Sequence, residues 1–343
     1  MSTHDHPLDP VSPPAAQPSE HQAQAPAHPV FPDARAIALP HLCVVEVLGP
    51  DAGTFLQGQL TQDALSMQPS QARAGGYCSA KGRLLANFVM LHPDEDRWFL
   101  LTHADLQEAL VKRLRMFVLR AKCSVQARQD LGVFGEHSTG LGLWSVRTFI
   151  PSGADAGEQP SPAWAMGWWG GRTLWIASQA SSPPADGDHS AASAQEAWRH
   201  ADVLAAWPWI EAATVDQFVP QMINFELLGG VNFRKGCYPG QEVVARSQYR
   251  GTLKRRMALF VLPAHTTPRA AAGLELFHSE DPGQPAGMVV NAGHDDKAGT
   301  QHHLLAEVKL SAMTGGTLHL GAPQGPQLQH LPLPYPIPSE TEA

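Results

Sequence analysis

The sequence predicts an α+β fold that ends in a small antiparallel β-barrel. In the first 130 residues, extended segments and a hairpin alternate with helical stretches, a mixture typical of α+β layers rather than of a doubly wound parallel sheet. From residue 257 onward, short apolar segments are split by turns that contain Gly and Pro, at a spacing typical of small barrels. Between these two regions lies a smaller unit with its own predicted strands.

The first unit contains strands rich in Val and Leu and two helices. Asp51 is a predicted N-cap for a short helix that carries Phe55 and Leu56. A second helix is predicted because apolar side chains recur at helical spacing, at Leu106, Leu110, Leu114 and Phe117. The predicted strands, of which the third and fourth form the hairpin, are residues 42–48, 75–78, 84–91, 98–101 and 122–127.

The second unit has predicted strands at residues 131–135 and 172–178 and a helix at residues 194–206. Residues 151–162 and 178–195 are rich in Ser, Ala, Gly, Pro and Asp and are predicted to be mobile insertions. Three tryptophans, Trp164, Trp168 and Trp169, are expected in the core or in a hairpin. The predicted barrel strands are residues 257–262, 274–278, 287–291, 303–310 and 317–320.

These patterns divide the chain into three domains and two tails. Residues 1–30 are rich in Pro, Ala, Gln and His and bury too little apolar surface to offset the entropy of ordering, so we expect a disordered tail. The first α+β domain spans residues 31–130 and is completed by residues 207–250. The second spans residues 131–206, the barrel spans residues 251–335, and residues 336–343 form a C-terminal tail.

Composition excludes several classes of function. A net charge of −8 argues against general nucleic-acid binding through a basic surface. No apolar run is long enough for a membrane helix, and no signal peptide is predicted. The four cysteines lie far apart without a C-x-x-C pair, which favours free thiols in the cytoplasm. The 17 histidines lack metal-ligand spacing, so no metal site is predicted.

The densest chemistry lies in one run, Lys235-Gly236-Cys237-Tyr238-Pro239-Gly240-Gln241-Glu242. A helix is predicted after Gly240, in which Glu242 and Arg246 stand four residues apart as a favourable pair. Cys237 precedes this helix and follows two cations, and both features favour the thiolate. The alternative is that Cys237 is a small buried apolar residue, as free cysteines often are.

This run resembles the signature of the folate-binding YgfZ family, which is related to the glycine-cleavage T-protein aminomethyltransferase. Further segments agree in order, at residues 49–61, 78–83, 218–224 and 250–256, and the resemblance covers roughly residues 36 to 335. It implies ferredoxin-like α/β layers around a central channel that binds tetrahydrofolate. It also implies functional roles for Lys235, Cys237, Tyr238, Gly240, Gln241, Glu242 and Arg246.

The same resemblance identifies candidate folate contacts. Trp198 matches a tryptophan that helps to hold folate in relatives, and Leu42 replaces a second one. Gln221 and Asn224 are candidates for polar recognition of the pterin, although both types are common at turns and caps. The T-protein carries an acidic pair in the strand that corresponds to residues 83–87. No carboxylate occurs there in this chain, which removes the expected proton-handling group.

The resemblance implies that the protein supports the assembly or repair of iron–sulfur clusters in client enzymes, including enzymes that thiolate tRNA. Its expected partners are folate and iron–sulfur client or assembly proteins, with no direct contact to nucleic acid or membrane. Two alternatives remain. One is a folate-dependent one-carbon transferase, which a carboxylate at the folate nitrogen would favour. The other is a non-catalytic interaction scaffold in which Cys237 is structural.

Overall fold

The computed structural model describes residues 36–137, 141–149, 162–179, 188–249, 253–263, 266–294 and 301–338. The predicted N-terminal tail, most of the two predicted insertions and the end of the C-terminal tail lie outside these ranges. The described residues form three antiparallel sheets of five, five and six strands. An α+β fold that ends in a small antiparallel β-barrel was predicted from the sequence; this fold class is confirmed, with the C-terminal sheet curled into a half-barrel.

The first sheet has the strand order β3-β4-β5-β2-β6 and carries a helix on one face. Its hairpin and the strand at Leu42–Leu48 agree with the sequence-based prediction. Along the chain from residue 36, the elements are β1 (Ile37–Ala38), β2 (Leu42–Leu48), α1 (Ala52–Gln59), β3 (Gln71–Cys78), β4 (Leu84–Asp94), β5 (Arg97–His103), α2 (Gln107–Val118) and β6 (Ser124–Ala127).

Two details of this unit correct the sequence-based predictions. Asp51 occupies the N-cap position of α1, but its carboxylate accepts a hydrogen bond from the backbone N–H of Lys122 at 2.7 Å instead of capping the helix. In α2, Leu110 and Leu114 are buried as predicted, whereas Phe117 is 45% exposed. The buried positions Leu110 and Leu114 continue at a spacing of four to Val118, which packs against the main core, so Phe117 lies off the buried face.

The second sheet has the order β1-β7-β10-β9-β8, and the short strand β1 forms its edge. Trp164 and Trp168 are buried on β9, as expected for core residues. Helix α3 begins at Asp188, inside the stretch that was predicted to be a mobile insertion, and it packs on the third sheet. The elements are β7 (Leu131–Glu136), β8 (Val146–Phe149), β9 (Ala163–Trp168), β10 (Arg172–Ser178) and α3 (Asp188–Leu204).

The third sheet has six strands in the order β15-β12-β13-β14-β11-β16 and curls into a half-barrel. One face of it has its own apolar core, whereas Met257, Leu259, Val290 and Leu305 on this sheet belong to the large core that the first and second sheets share. The last strand, β16, was not predicted from the sequence. The remaining elements are α4 (Gln241–Tyr249), β11 (Arg255–Pro263), β12 (Glu275–His278), β13 (Asp281–His294), β14 (Gln301–Lys309), β15 (Leu318–Leu320) and β16 (Gln329–Leu331).

Candidate functional site

The cysteine motif of residues 235–242 rests on the turn between β3 and β4. Gly240 has a φ of +79°, and a Cβ at this position would collide with the Ser79 carbonyl oxygen and the backbone of Gly82. A glycine is therefore required at Gly240 by both its conformation and its contact. Gly236 differs, because a Cβ there would meet no atom within 4 Å.

Lys235 fixes the motif to the end of helix α1. Its ammonium group donates hydrogen bonds to the carbonyl oxygens of Gln57 and Leu60, and the latter bond is 2.7 Å long. These are terminal carbonyls of α1, where a cation also interacts favourably with the helix dipole. Burial lowers the pKa of Lys235 to about 8, although Asp63 and Cys237 act in the opposite direction. The Lys235 ammonium also lies 5.1 Å from the centre of the Tyr238 ring.

Cys237 is exposed, and this separates it from the other three cysteines. Burial raises the pKa of Cys43 and of Cys78 to about 12, and it also raises the pKa of Cys123. All four thiols are free, as the spacing of the cysteines predicted. Since the thiolate is the reactive form, the geometry favours chemistry at Cys237 over the other three positions. The alternative in which Cys237 is a buried apolar residue is therefore wrong, because its side chain is exposed.

Helix α4 follows the motif as predicted. Gln241 is its first residue, and the backbone N–H of Gln241 donates to the Tyr238 carbonyl oxygen at 3.2 Å. The predicted pair forms on its surface, with 2.6 Å between Glu242 Oε1 and Arg246 Nη2. Both side chains are largely exposed, so this ion pair contributes little to stability. It does hold the Glu242 carboxylate toward Arg246.

Gln221 and Asn224, expected to contact folate, are instead fully buried structural residues. The Gln221 amide donates to the Val244 carbonyl oxygen of α4 at 2.9 Å. The Asn224 amide donates to the Met257 carbonyl oxygen of β11 at 2.9 Å. These bonds tie the 3₁₀ turn of residues 220–223 to α4 and to the third sheet, so neither amide group is open to a ligand in this conformation.

The two remaining folate candidates are also buried in this conformation. Trp198 has no exposed surface, and the Arg172 guanidinium lies 4.4 Å above its ring. Leu42 is 5% exposed and belongs to the main core. The expectation that Trp198 offers a stacking face is corrected here, because Arg172 covers the ring.

A cavity of about 440 Å³ opens between the first sheet, helix α3 and the third sheet. Residues from the first sheet, from helix α3 with the segment that follows it, and from the third sheet all contribute to its wall. No residue of the cysteine motif lines it. Its lining includes the polar, charged and aromatic side chains of His41, Arg199, Trp207, Trp209, Glu211, Arg269 and Asn291.

Two buried amide side chains hold the segment that forms one wall of the cavity. Asn87 on β4 donates to the Pro208 carbonyl oxygen and accepts from the Ile210 N–H, each at 2.7 Å. Asn291 on β13 accepts from the Trp209 N–H at 2.7 Å and donates to the Trp209 carbonyl oxygen at 3.0 Å. Because the two asparagines belong to different sheets, residues 208–210 are fixed from both sides.

The electrostatics of the cavity are set by burial. Burial lowers the pKa of His41 to about 3, and Arg199 and His103 act in the same direction. His41 is thus a neutral imidazole, and neither ring nitrogen has a hydrogen-bond partner among the described residues. Burial raises the pKa of Glu211, although His103 and a 2.6 Å hydrogen bond from the Asn291 amide partly oppose this.

None of the cavity residues was predicted from the sequence to form a site. His41, Arg199, Glu211 and Asn291 come from four distant segments and form no motif. Residues 83–87 contain no carboxylate, as the sequence shows. The structure adds Glu211, which lines the cavity from the neighbouring segment. Asn87, on the strand without acids, reaches the same segment through Ile210.

Two further kinds of site were sought among the described residues. No group of three or more His, Cys, Asp or Glu side chains there is arranged to hold a metal ion. Within the same ranges, no helix is long and apolar enough to cross a membrane.

Comparison with known proteins gives the family. No family model matches this chain. The tRNA-modifying protein YgfZ of Edwardsiella ictaluri is 33% identical over 303 residues, which cover 85% of this chain and 89% of that protein. The protein of the same name from Pectobacterium atrosepticum is 27% identical over 311 residues, with coverages of 89% and 92%.

A solved structure supports the same relationship at the level of the fold. The glycine cleavage system aminomethyltransferase T from Bartonella henselae superposes with a TM-score of 0.65 at 18% identity, over 87% of this chain and 85% of that one. The fold is thus that of the T-protein. Since the match to the Edwardsiella protein spans most of both sequences, this chain belongs to the YgfZ family.

Proposed function

We propose that the protein binds tetrahydrofolate in the cavity between the first sheet, helix α3 and the third sheet, and that it supports iron–sulfur cluster assembly or repair in client enzymes. Folate combines a flat pterin, an aromatic ring and an acidic tail. A binding site for it needs aromatic walls, a few convergent polar groups and cations near the tail. The cavity offers Trp209 as an aromatic wall, His41 and Glu211 as polar groups, and Arg199 and Arg269 as cations.

The observation that carries this proposal is the unpartnered His41. Buried polar atoms almost always have hydrogen-bond partners, so two unpartnered ring nitrogens beside a cavity indicate a missing partner. A neutral imidazole donates one hydrogen bond and accepts another, which suits the alternating donors and acceptors of a pterin edge. The volume of about 440 Å³ lies in the usual range for small-molecule sites.

The role in iron–sulfur chemistry rests on the family and on Cys237. The relatives carry the name tRNA-modifying protein, and enzymes that thiolate tRNA are the client class that the family resemblance implies. Four free thiols, one of them exposed, are compatible with work in the reducing cytoplasm. In this proposal Cys237 is the functional thiol, and Lys235, Tyr238, Gly240, Gln241, Glu242 and Arg246 hold it in position.

The direct test is to identify the ligand and then weaken its site. Mass spectrometry of small molecules released from protein purified without added folate should detect a folate. In calorimetric titration with tetrahydrofolate, Arg199→Ala should weaken binding about tenfold, the loss expected for one charge-assisted contact. Arg246→Ala is the matched control, because both arginines lie on helices and pair with a glutamate there. Equal affinities for the two variants and the wild type would refute the assignment.

One-carbon transfer is retained as a second candidate because of Glu211. A carboxyl group with a raised pKa inside a ligand cavity is suited to move a proton. The test is transfer from an aminomethylated carrier protein to tetrahydrofolate. Robust transfer that Glu211→Gln abolishes would favour the enzyme. No transfer, together with tight folate binding, would favour the iron–sulfur role.

A further inference from the structure

The C-terminal end of helix α2 carries exposed apolar side chains next to a cluster of cations. Met116 is 58% exposed, Phe117 45% and Leu119 87%. Residues 112–120 contain four cations and no anion, although the whole chain has a net charge of −8. Among the described residues, none of these four cations takes part in a salt bridge. This surface is called the α2 patch below and comprises Lys112, Arg113, Arg115, Met116, Phe117, Leu119 and Arg120.

Leu119 is the most informative residue of the patch. It follows the last residue of α2 with a φ of +43°, a conformation that costs a residue with a side chain about 1 kcal/mol or more and that favours glycine. Helices commonly end on a glycine with such a φ. Here a leucine takes the position and exposes 87% of its surface to solvent. Neither the backbone nor the core explains a leucine at this position, whereas a contact with another molecule does.

An apolar groove of about 280 Å³ adjoins the patch. Leu85, Leu110 and Val215 line it, and Met116 and Arg113 of the patch lie at its wall. A concave groove of this size accepts one or two protruding apolar side chains. The groove and the cysteine motif share the β3–β4 hairpin, since Tyr77 lines the groove and Ser79 supports Gly240.

We propose that the α2 patch and its groove bind an acidic amphipathic segment of a partner protein. The apolar side chains of that segment fill the groove and cover Leu119, and its carboxylates face the four cations. Charge complementarity of this kind favours association and selects the partner. The inference goes beyond folate binding and does not depend on it.

Two other polyanionic surfaces fit the patch less well. Nucleic acid is bound by aromatic stacking and hydrogen bonds, and of the exposed apolar side chains of the patch only Phe117 can stack, whereas Met116 and Leu119 provide neither contact. An anionic membrane is flat on this scale, whereas the apolar surface beside α2 is concave. Arginine and methionine are instead enriched where proteins meet proteins.

The test uses the full chain and defined probes. The first probe is a fluorescent helical peptide with leucines on one face and glutamates on the other, followed by anisotropy. We expect binding that weakens with added salt, and that weakens about tenfold in Leu119→Gly and in Arg113→Glu/Arg120→Glu. Leu65→Gly is the matched control, because Leu65 is a 59% exposed leucine outside the patch, and it should bind like the wild type.

Stability separates docking from folding. Because glycine suits the backbone at position 119, Leu119→Gly should melt at or above the wild-type temperature. A lower melting temperature would mean that the side chain serves the fold and would overturn the proposal. Tighter binding of single-stranded RNA or of phosphatidylserine vesicles than of the peptide would also overturn it. So would sedimentation showing a wild-type dimer that Leu119→Gly dissociates, since the occupant would then be a second copy of this chain.

Discussion

Arg172 and Asp202 form an ion pair in the interior, with 2.8 Å between Nη2 and Oδ1 and at most 4% of either side chain exposed. Asp202 also accepts hydrogen bonds from the indole N–H groups of Trp168 at 2.8 Å and Trp209 at 3.2 Å. One carboxylate thus joins the second sheet, helix α3 and the wall of the cavity. The pair therefore links the second sheet to the wall of the cavity.

Removing one partner of this pair should be strongly destabilising. Arg172→Met leaves the Asp202 carboxylate buried without its cation, and a loss of about 3–5 kcal/mol in the free energy of unfolding is expected. Urea unfolding measures the change. Arg246→Met, which breaks the exposed pair with Glu242, is the control and should cost less than about 1 kcal/mol. Equal losses in both variants would show that the buried network does not hold the domains together.

The two glycines of the motif should respond differently to substitution. Gly240→Ala forces a Cβ into the Ser79 carbonyl and strains a φ of +79°, so a loss of about 2 kcal/mol or more is expected. Gly236→Ala meets open space and should stay within about 0.5 kcal/mol of the wild type. Thermal unfolding of both variants checks the pair. A destabilised Gly236→Ala would mean that a contact of the motif has been missed.

Much of the fold could be predicted from the sequence, because the spacing of apolar residues indicates which positions of a strand or helix are buried. The strands Leu42–Leu48 and Arg172–Ser178 and the helix after Gly240 were placed correctly on this basis. Phe117 was misassigned because the buried stripe through Leu110 and Leu114 continues to Val118, and helical periodicity allows a spacing of either three or four residues. Strand β16 has only three residues, Gln329–Leu331, and is defined by pairing with β11 rather than by its composition.

Only part of the candidate site could be predicted from the sequence. The cysteine motif is continuous in sequence, so its glycines, its lysine and its helix could be interpreted together. The cavity is assembled from separate segments, and only the packing of the three sheets brings His41 near Arg199. Trp198 shows that a role cannot be transferred between relatives by sequence position alone. It matches a tryptophan that helps to hold folate in relatives, but here it fills the core beneath Arg172. Whether a side chain faces a cavity depends on tertiary contacts that sequence spacing does not encode.

The pH dependence of stability should report on His41. Its pKa is lowered from 6.5 to about 3 in the folded state, so the unfolded chain binds the proton more readily. The stabilising effect is complete above pH 6.5 and is lost as the pH falls below it, by about 1.4 kcal/mol per pH unit. Between pH 7.5 and 5.5 the wild type should therefore lose about 1.4 kcal/mol more than His41→Gln. Urea unfolding at both pH values checks this, and parallel losses would mean that His41 titrates freely.

Cys237 should be the fastest cysteine to react with iodoacetamide at neutral pH. Its side chain is exposed, whereas Cys43 and Cys78 have pKa values raised to about 12 and stay protonated over the pH range in which the protein is handled. Peptide mass spectrometry follows each of the four thiols across pH. If Cys43 or Cys123 is labelled faster, the motif is structural and the scaffold alternative is favoured.

The same thiol should matter more to function than to folding. Cys237→Ser replaces an exposed sulfur by oxygen and breaks no packing contact, so the free energy of unfolding should stay within about 0.5 kcal/mol of the wild type. In cells that lack the protein, this variant should fail to restore iron–sulfur enzyme activity, whereas Cys123→Ser, a control at a half-buried thiol, should restore it. Full complementation by Cys237→Ser would show that the thiol has no part in the mechanism. The motif would then owe its role to the backbone conformation around Cys237 and not to chemistry at the sulfur atom.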